Sequence, residues 1–122
     1  MTSDNRRARR VAELLRAYLS EALARDVADP RLSGLVVTGV DVPDDLSLAR
    51  VHVRLLAGDE DPARRQAALT ALGRVASRLR RGLAPRLGLR RVPELLFDYD
   101  TGHDAAQRVE ELLQEIARER KP

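Results

Sequence analysis

Residues 35–56, LVVTGVDVPDDLSLARVHVRLL, decide the fold. From Leu46 to Leu56 the side chains alternate. Ala49, Val51, Val53 and Leu55 fall on one face and Arg50, His52 and Arg54 on the other, the period-two pattern of a half-buried strand. Leu35 to Val42 is rich in β-branched residues and predicts a second strand, apolar on both faces, so that its register is not legible. Pro43, Asp44 and Asp45 between them are turn formers, and so short a link predicts an antiparallel pair.

Upstream, Val11, Leu14, Leu15, Tyr18, Leu19, Ala22 and Leu23 recur at helical spacing and predict a helix from about Arg6 to Arg25. Ser3, Asp4 or Asn5 would cap it, and Asp29-Pro30 stops any continuation. Downstream, Gly58 to Asp61 reads as a loop, with Asp61 as N-cap and Pro62 at the first helical position. Ala68, Leu72, Val75, Ala76, Leu79 and Leu83 form the next helical stripe. Gly82 and Pro85 are expected to end or bend it, so the stretch is one long helix or two end to end.

Glu94 to Tyr99 reads as a third strand, with Leu95, Phe97 and Tyr99 on one side, and Asp100-Thr101-Gly102 break it. His103 to Glu119 predicts a last helix with Val109, Leu112, Leu113 and Ile116 apolar, and the tail 118–122 is expected to be flexible. The order α-β-β-α-α-β-α places helices on one face of a three-stranded sheet, an α+β domain. Without its final helix this is one of the two KH arrangements, a fold used by RNA-binding modules. The length of 122 residues suits a single domain, residues 1–122, with a core from about 6 to 117.

Charge is distributed unevenly. Between Asp61 and Glu94 there is no acidic residue, while nine arginines occur there: Arg64, Arg65, Arg74, Arg78, Arg80, Arg81, Arg86, Arg90 and Arg91. The whole chain carries +3, so with +9 in this stretch the rest sums to −6. Arg6, Arg7, Arg9 and Arg10 add a second basic cluster at the start. Such asymmetry points to a polyanion partner, because solubilising surfaces mix both signs. Codon bias accounts for arginine in place of lysine but not for the missing acids.

Other chemistry is poorly supported. Without cysteine there are no disulfides, thiolate metal sites or cysteine nucleophiles, a composition compatible with a reducing cytosol. Only Tyr18, Phe97 and Tyr99 are aromatic, which leaves little for base stacking on rings. No signal peptide and no membrane-length apolar run is visible. His52 and His103 have no nucleophile or carboxylate at a recognisable motif spacing and read as solvated surface histidines. The clusters Asp41/Asp44/Asp45, Asp59/Glu60/Asp61 and Asp98/Asp100 fit turn and capping roles better than a metal site. No glycine-rich phosphate loop is present, and no two glycines lie three apart, which excludes the usual KH backbone clamp.

What remains is an arginine face. Arg74, Arg78 and Arg81 fall opposite the leucine stripe at i, i+4 and i+7. A guanidinium pairs with phosphate through a planar, always-charged fork. The candidate RNA-binding set is Arg74, Arg78, Arg80, Arg81, Arg86, Arg90 and Arg91, helped by Arg6, Arg7, Arg9 and Arg10. A helix-turn-helix DNA-binding module is the alternative, though its reading helix usually adds Asn, Gln and Ser. A third reading is a protein-interaction domain that uses the acidic last helix.

The chain also resembles the ribosome-binding factor A family. The resemblance rests on Asp29-Pro30-Arg31-Leu32, on Val40 to Leu46 followed by Ala49 and Val51, and most specifically on Arg90-Arg91-Val92-Pro93-Glu94-Leu95-Leu96-Phe97 with Asp100. It implies a type II KH-like domain, α-β-β-α-α-β, here with an additional C-terminal helix. It implies binding to free or immature 30S subunits and 16S rRNA near the neck, in support of 5′-end processing and late assembly. A cytoplasmic, non-catalytic, monomeric factor is expected, without cofactor, metal or small-molecule substrate, that leaves before translation and in some bacteria serves growth in the cold. The family has an interhelical Ala-x-Gly kink, which aligns with Val75-Ala76-Ser77, serine standing in place of glycine. Ala71-Leu72-Gly73 spells that motif literally, one turn out of register.

Overall fold

The computed structural model describes residues 2–25, 29–101 and 113–118, the side chains of 2–5 excepted. Helix α1 spans Thr2–Arg25, followed by a 3-10 turn at Pro30–Leu32, strands β1 (Leu35–Asp41) and β2 (Leu48–Leu55), helix α2 (Pro62–Leu87) and strand β3 (Glu94–Tyr99). The sheet order is β1-β2-β3, with β1 antiparallel and β3 parallel to β2. A parallel neighbour needs a crossover, and α2 supplies it.

The antiparallel β1–β2 pair is as expected, and the pairing explains why β1 was illegible. Val37 opposes Val53, but Gly39 rather than Thr38 opposes His52, so one residue is bulged. The bulge changes the parity of the strand. Leu35 and Val37 before it and Val40 and Val42 after it all pack on the same core. A strictly alternating reading cannot accommodate that set.

The core joins one face of the sheet to both helices. Leu15 and Leu19 of α1, Leu72 and Leu83 of α2, Val51 and Val53 of β2, and Pro93 are fully buried. Removing one such side chain from water stabilises the fold by about 1.5–3 kcal/mol. Asp29 closes the connection after α1: its carboxylate accepts from the Arg31 amide at 2.9 Å and from the Arg31 guanidinium at 2.6 Å, and Leu32 turns into the core.

Three expectations need correction. First, α1 already begins at Thr2, so Ser3, Asp4 and Asn5 lie within the helix instead of capping it. Second, the stretch left open as one long helix or two end to end is one helix, α2, which runs through Val75, Ala76 and Ser77 where the family resemblance implied a break between two helices. Serine costs less in a helix interior than glycine does, and Ala71, Leu72, Leu79 and Leu83 bury a continuous stripe across that point. Third, neither Gly82 nor Pro85 ends α2. Pro85 forfeits a single hydrogen bond in the last turn, and the helix stops three residues later at Gly88, in the left-handed conformation (φ 63°) that glycine adopts freely.

Among the described residues no helix-turn-helix arrangement is present, since α2 follows a strand and not a helix. Residues 113–118 are helical, with Leu113 and Ile116 exposed; Val109, Leu112, His103 and the tail 119–122 lie outside the described residues.

Candidate nucleic-acid interface

Helix α2 sets the interface. Its core stripe faces the sheet, so the exposed Arg74, Arg78 and Arg81 run along the outside. The C-terminal half of α2 also forms one wall of a groove of about 1060 Å3, closed by the N-terminal part of α1, the β1–β2 loop and the segment before β3. Arg7, Arg80, Arg81, Arg90 and Arg91 line it. Five arginines from three separated pieces of sequence therefore converge, and Arg81 belongs both to the outer stripe and to the groove.

The other candidate arginines lie elsewhere. Arg78 edges a small recess of about 70 Å3 beside Tyr18 and Leu32. The Arg86 guanidinium lies over the Tyr18 ring, 4.9 Å from its centre. Arg74 is close enough to Asp29 to help hold its carboxyl low. Arg6, Arg9 and Arg10 are exposed on α1 and are not among the groove-lining residues.

Arg80 differs from the rest. It is half-buried, and its guanidinium donates to the Val92 carbonyl at 3.0 Å and to the Pro93 carbonyl at 3.2 Å. Two of its donors thus tie α2 to the chain that carries Arg90 and Arg91. A bond from a charged donor to a part-buried carbonyl is worth about 1.5–3 kcal/mol. The sequence shows the arginine but not that its fork is already engaged.

His52 also departs from expectation. Its side chain is 11% exposed, and Nε2 lies 2.8 Å from an Asp41 carboxylate oxygen. Gly39 sits directly across from His52 next to the bulge, and even a Cβ there would meet the imidazole only at an ordinary contact of 3.8 Å. His52 is thus a paired, buried histidine and not a solvated one.

A second cluster that sequence reasoning missed closes the far end of the sheet. The Tyr99 hydroxyl donates to Asp59 and accepts from the Leu55 amide at 2.9 Å, while the Arg65 guanidinium lies 5.1 Å from the ring centre. The tyrosine hydroxyl, with Arg54 and Arg65 nearby, lowers the Asp59 carboxyl below the usual carboxylate range. Burial and the bond to Asp59 raise the Tyr99 hydroxyl above the usual tyrosine value. Such a cluster, built of capping and cross-strand contacts, fixes a corner of the domain. The alternation that places Tyr99 on the core face is visible in the sequence, but its partner forty residues earlier is not.

A three-stranded mixed sheet with helices packed on one face, a continuous helix where a glycine loop would stand, and an arginine-lined groove define a KH-like α+β module with a basic surface. The sequence profile described as ribosome-binding factor A matches residues 7–113, and the chain belongs to that family. It is 53% identical over 111 residues to a ribosome-binding factor A of Sorangium cellulosum, covering 91% of this chain and 89% of that one. Against the Desulforamulus reducens protein of the same name it is 37% identical over 117 residues, 95% of each. The crystal structure of ribosome-binding factor A from Thermus thermophilus superposes with a TM-score of 0.65 at 32% identity, covering 75% of this chain and 93% of that one. A Thermus thermophilus ribosome-binding factor A homology model, fitted into a cryo-electron microscopy map of a 30S complex, gives a TM-score of 0.54 at 36% identity, with 75% and 97% covered.

Proposed function

We propose that this protein binds free or immature 30S subunits through 16S rRNA, acting in late small-subunit maturation and supporting 5′-end processing of the rRNA without catalysing it. The observation that carries the reading is the convergence of Arg7, Arg80, Arg81, Arg90 and Arg91 in one groove that continues into the Arg74–Arg78–Arg81 stripe. A polyanion with phosphates on two sides of α2 fits that surface. The Thermus relative placed in a 30S complex supports the same partner.

The mechanism is differential affinity. Guanidinium–phosphate contacts position a protein but read no sequence. If one conformation of the rRNA presents its phosphates to both groove and stripe, binding favours that conformation over those that do not. Processing is then helped because the strand is held where another factor can act.

Sedimentation with purified 30S subunits across a salt series tests this. Co-sedimentation should fall steeply with salt, by a log–log slope of about −0.7 to −0.9 for each phosphate neutralised. Sedimentation that is absent at low salt, or indifferent to salt, would overturn the reading.

A further inference from the structure

The sheet has two edges, and they are built differently. On one side β1 carries the bulge beside Thr38, and a bulge twists an edge away from further pairing. On the other side β3 runs for six residues, ELLFDY, with no bulge, proline or basic residue. Bulges, proline and lysine are the usual guards of an edge against strand addition.

The ladder fixes where the free groups of β3 point. The Glu94 amide donates to the Ser47 carbonyl at 3.1 Å and the Asp100 amide to the Val53 carbonyl at 2.7 Å. Alternate residues of a strand turn the same way, so the even-numbered residues address β2, while Leu95, Phe97 and Tyr99 direct their N–H and C=O groups outward. Among the described residues no strand lies on that side and no hydrogen bond reaches those groups. Burial shows the same gap. Ala49, Val51 and Val53 of β2 are fully buried, whereas Leu95 and Phe97 beside them are half-buried, and Leu96 on the open face of the sheet is 42% exposed.

We propose that the outer edge of β3 takes up an extended segment of a partner protein as a fourth strand, a segment in which lysine or arginine alternates with aliphatic residues. Main-chain bonds give affinity in this mode of recognition, and alternate side chains give selectivity. On the core side the added aliphatic residues lie beside Leu95 and Phe97 and cover what is left open there. On the open face the basic residues meet Glu94 and Asp98, the latter shared with Arg50 at 3.4 Å. Opposite charges across a strand pair stabilise it and like charges destabilise it. A second copy of β3 is a poor occupant for that reason, since antiparallel pairing centred on Phe97 sets each Glu94 beside an Asp100. A nucleic-acid strand fares no better, because its phosphates would lie beside the same carboxylates. Basic segments of this kind belong to proteins that themselves bind polyanions. Apart from Glu94 the edge shares no residue with the arginine groove, and its use does not depend on the rRNA reading.

Amide hydrogen exchange of the whole chain, followed residue by residue, tests this with a capped synthetic peptide of about six residues in which lysine alternates with valine. In the free protein the Leu95, Phe97 and Tyr99 amides should exchange fast, while Leu96 and Asp98, bonded into the ladder, exchange slowly. With peptide at about ten times its Kd the three fast rates should fall about tenfold, since exchange then proceeds through the free fraction. A glutamate–valine peptide should bind at least about tenfold more weakly. Two further lysine–valine peptides carry methyl groups on the valine amides or on the lysine amides. Each lacks the donors of one peptide edge, so one of the two should lose binding and the other keep it. Slow exchange of Leu95, Phe97 and Tyr99 in the free protein would show the edge already covered, and exchange that slows as protein concentration rises would show a second copy on it; either overturns the proposal. So do the absence of peptide binding, equal binding of the glutamate peptide, and binding that survives both methylations.

Discussion

The hydroxyl end of Tyr18 on α1 lies so close to Gly82 on α2 that a Cβ added at Gly82 would overlap the phenol. Glycine in a helix interior costs ~1 kcal/mol relative to alanine, so Gly82→Ala would stabilise an isolated α2. In the protein the added methyl must push α1 away or displace the Tyr18 ring, an overpacking cost of about 1–3 kcal/mol. We expect Gly82→Ala to lower the midpoint of thermal unfolding by several degrees, and Tyr18→Phe in the same chain to restore part of the loss. A more stable Gly82→Ala protein would show that the two helices do not meet at this point.

That contact also shows what the sequence conceals. The apolar stripes of α1 and α2 and the alternation of β2 are one-dimensional patterns, and they led to the correct elements. The bulge at Thr38 is not such a pattern, because a strand apolar on both faces satisfies either register until its partner is known. Gly82 read as a helix breaker because propensity is local, whereas its reason is a tyrosine sixty-four residues earlier. The arginines of the groove were legible as a charge excess, but not their division between groove, recess and the Tyr18 ring. Arg80, whose fork is taken up by two carbonyls, looked identical to its neighbours.

Arg80→Lys keeps the charge and loses the fork. A lysine ammonium is a point donor on a flexible stem and does not span the Val92 and Pro93 carbonyls as the planar guanidinium does. We expect Arg80→Lys to destabilise the fold by about 1–2 kcal/mol, measured by denaturant unfolding, whereas Arg81→Lys, at an exposed position, leaves stability within about 0.5 kcal/mol of the parent. If the two variants unfold at the same denaturant concentration, the Arg80 bonds contribute nothing to holding the segment before β3.

Acid stability should depend on Asp29. The Arg31 side chain, then the Arg31 amide, lowers the Asp29 carboxyl from 3.8 to about 2. A depressed folded-state pKa stabilises the protein above the unfolded value and loses that contribution as pH falls toward the folded one. The loss attributable to Asp29 is therefore expected between pH 3.8 and about 2. Asp59, also depressed through Tyr99, adds to the acid side, while the raised Tyr99 contributes stability that is lost as pH rises past the usual tyrosine value. Urea unfolding at a series of pH values should show Asp29→Asn less stable than the parent at neutral pH and converging with it near pH 2. Parallel curves for the two proteins would rule out the Asp29–Arg31 pair as a source of acid sensitivity.

The outer stripe gives the most direct test of function. Arg78 and Arg81 are exposed and one turn apart on α2, so changing them leaves the buried leucines untouched. Neutralising both to Gln should weaken 30S binding and flatten the log–log salt dependence by about 1.4–1.8, if each guanidinium neutralises one phosphate. Reversing both to Glu should abolish binding, because each carboxylate then repels the phosphate its arginine attracted. Thermal unfolding should remain cooperative in both variants. Binding of a folded Arg78→Glu/Arg81→Glu protein at the parental affinity would remove both the stripe and Arg81 from the interface and leave Arg7, Arg80, Arg90 and Arg91 of the groove to account for subunit binding.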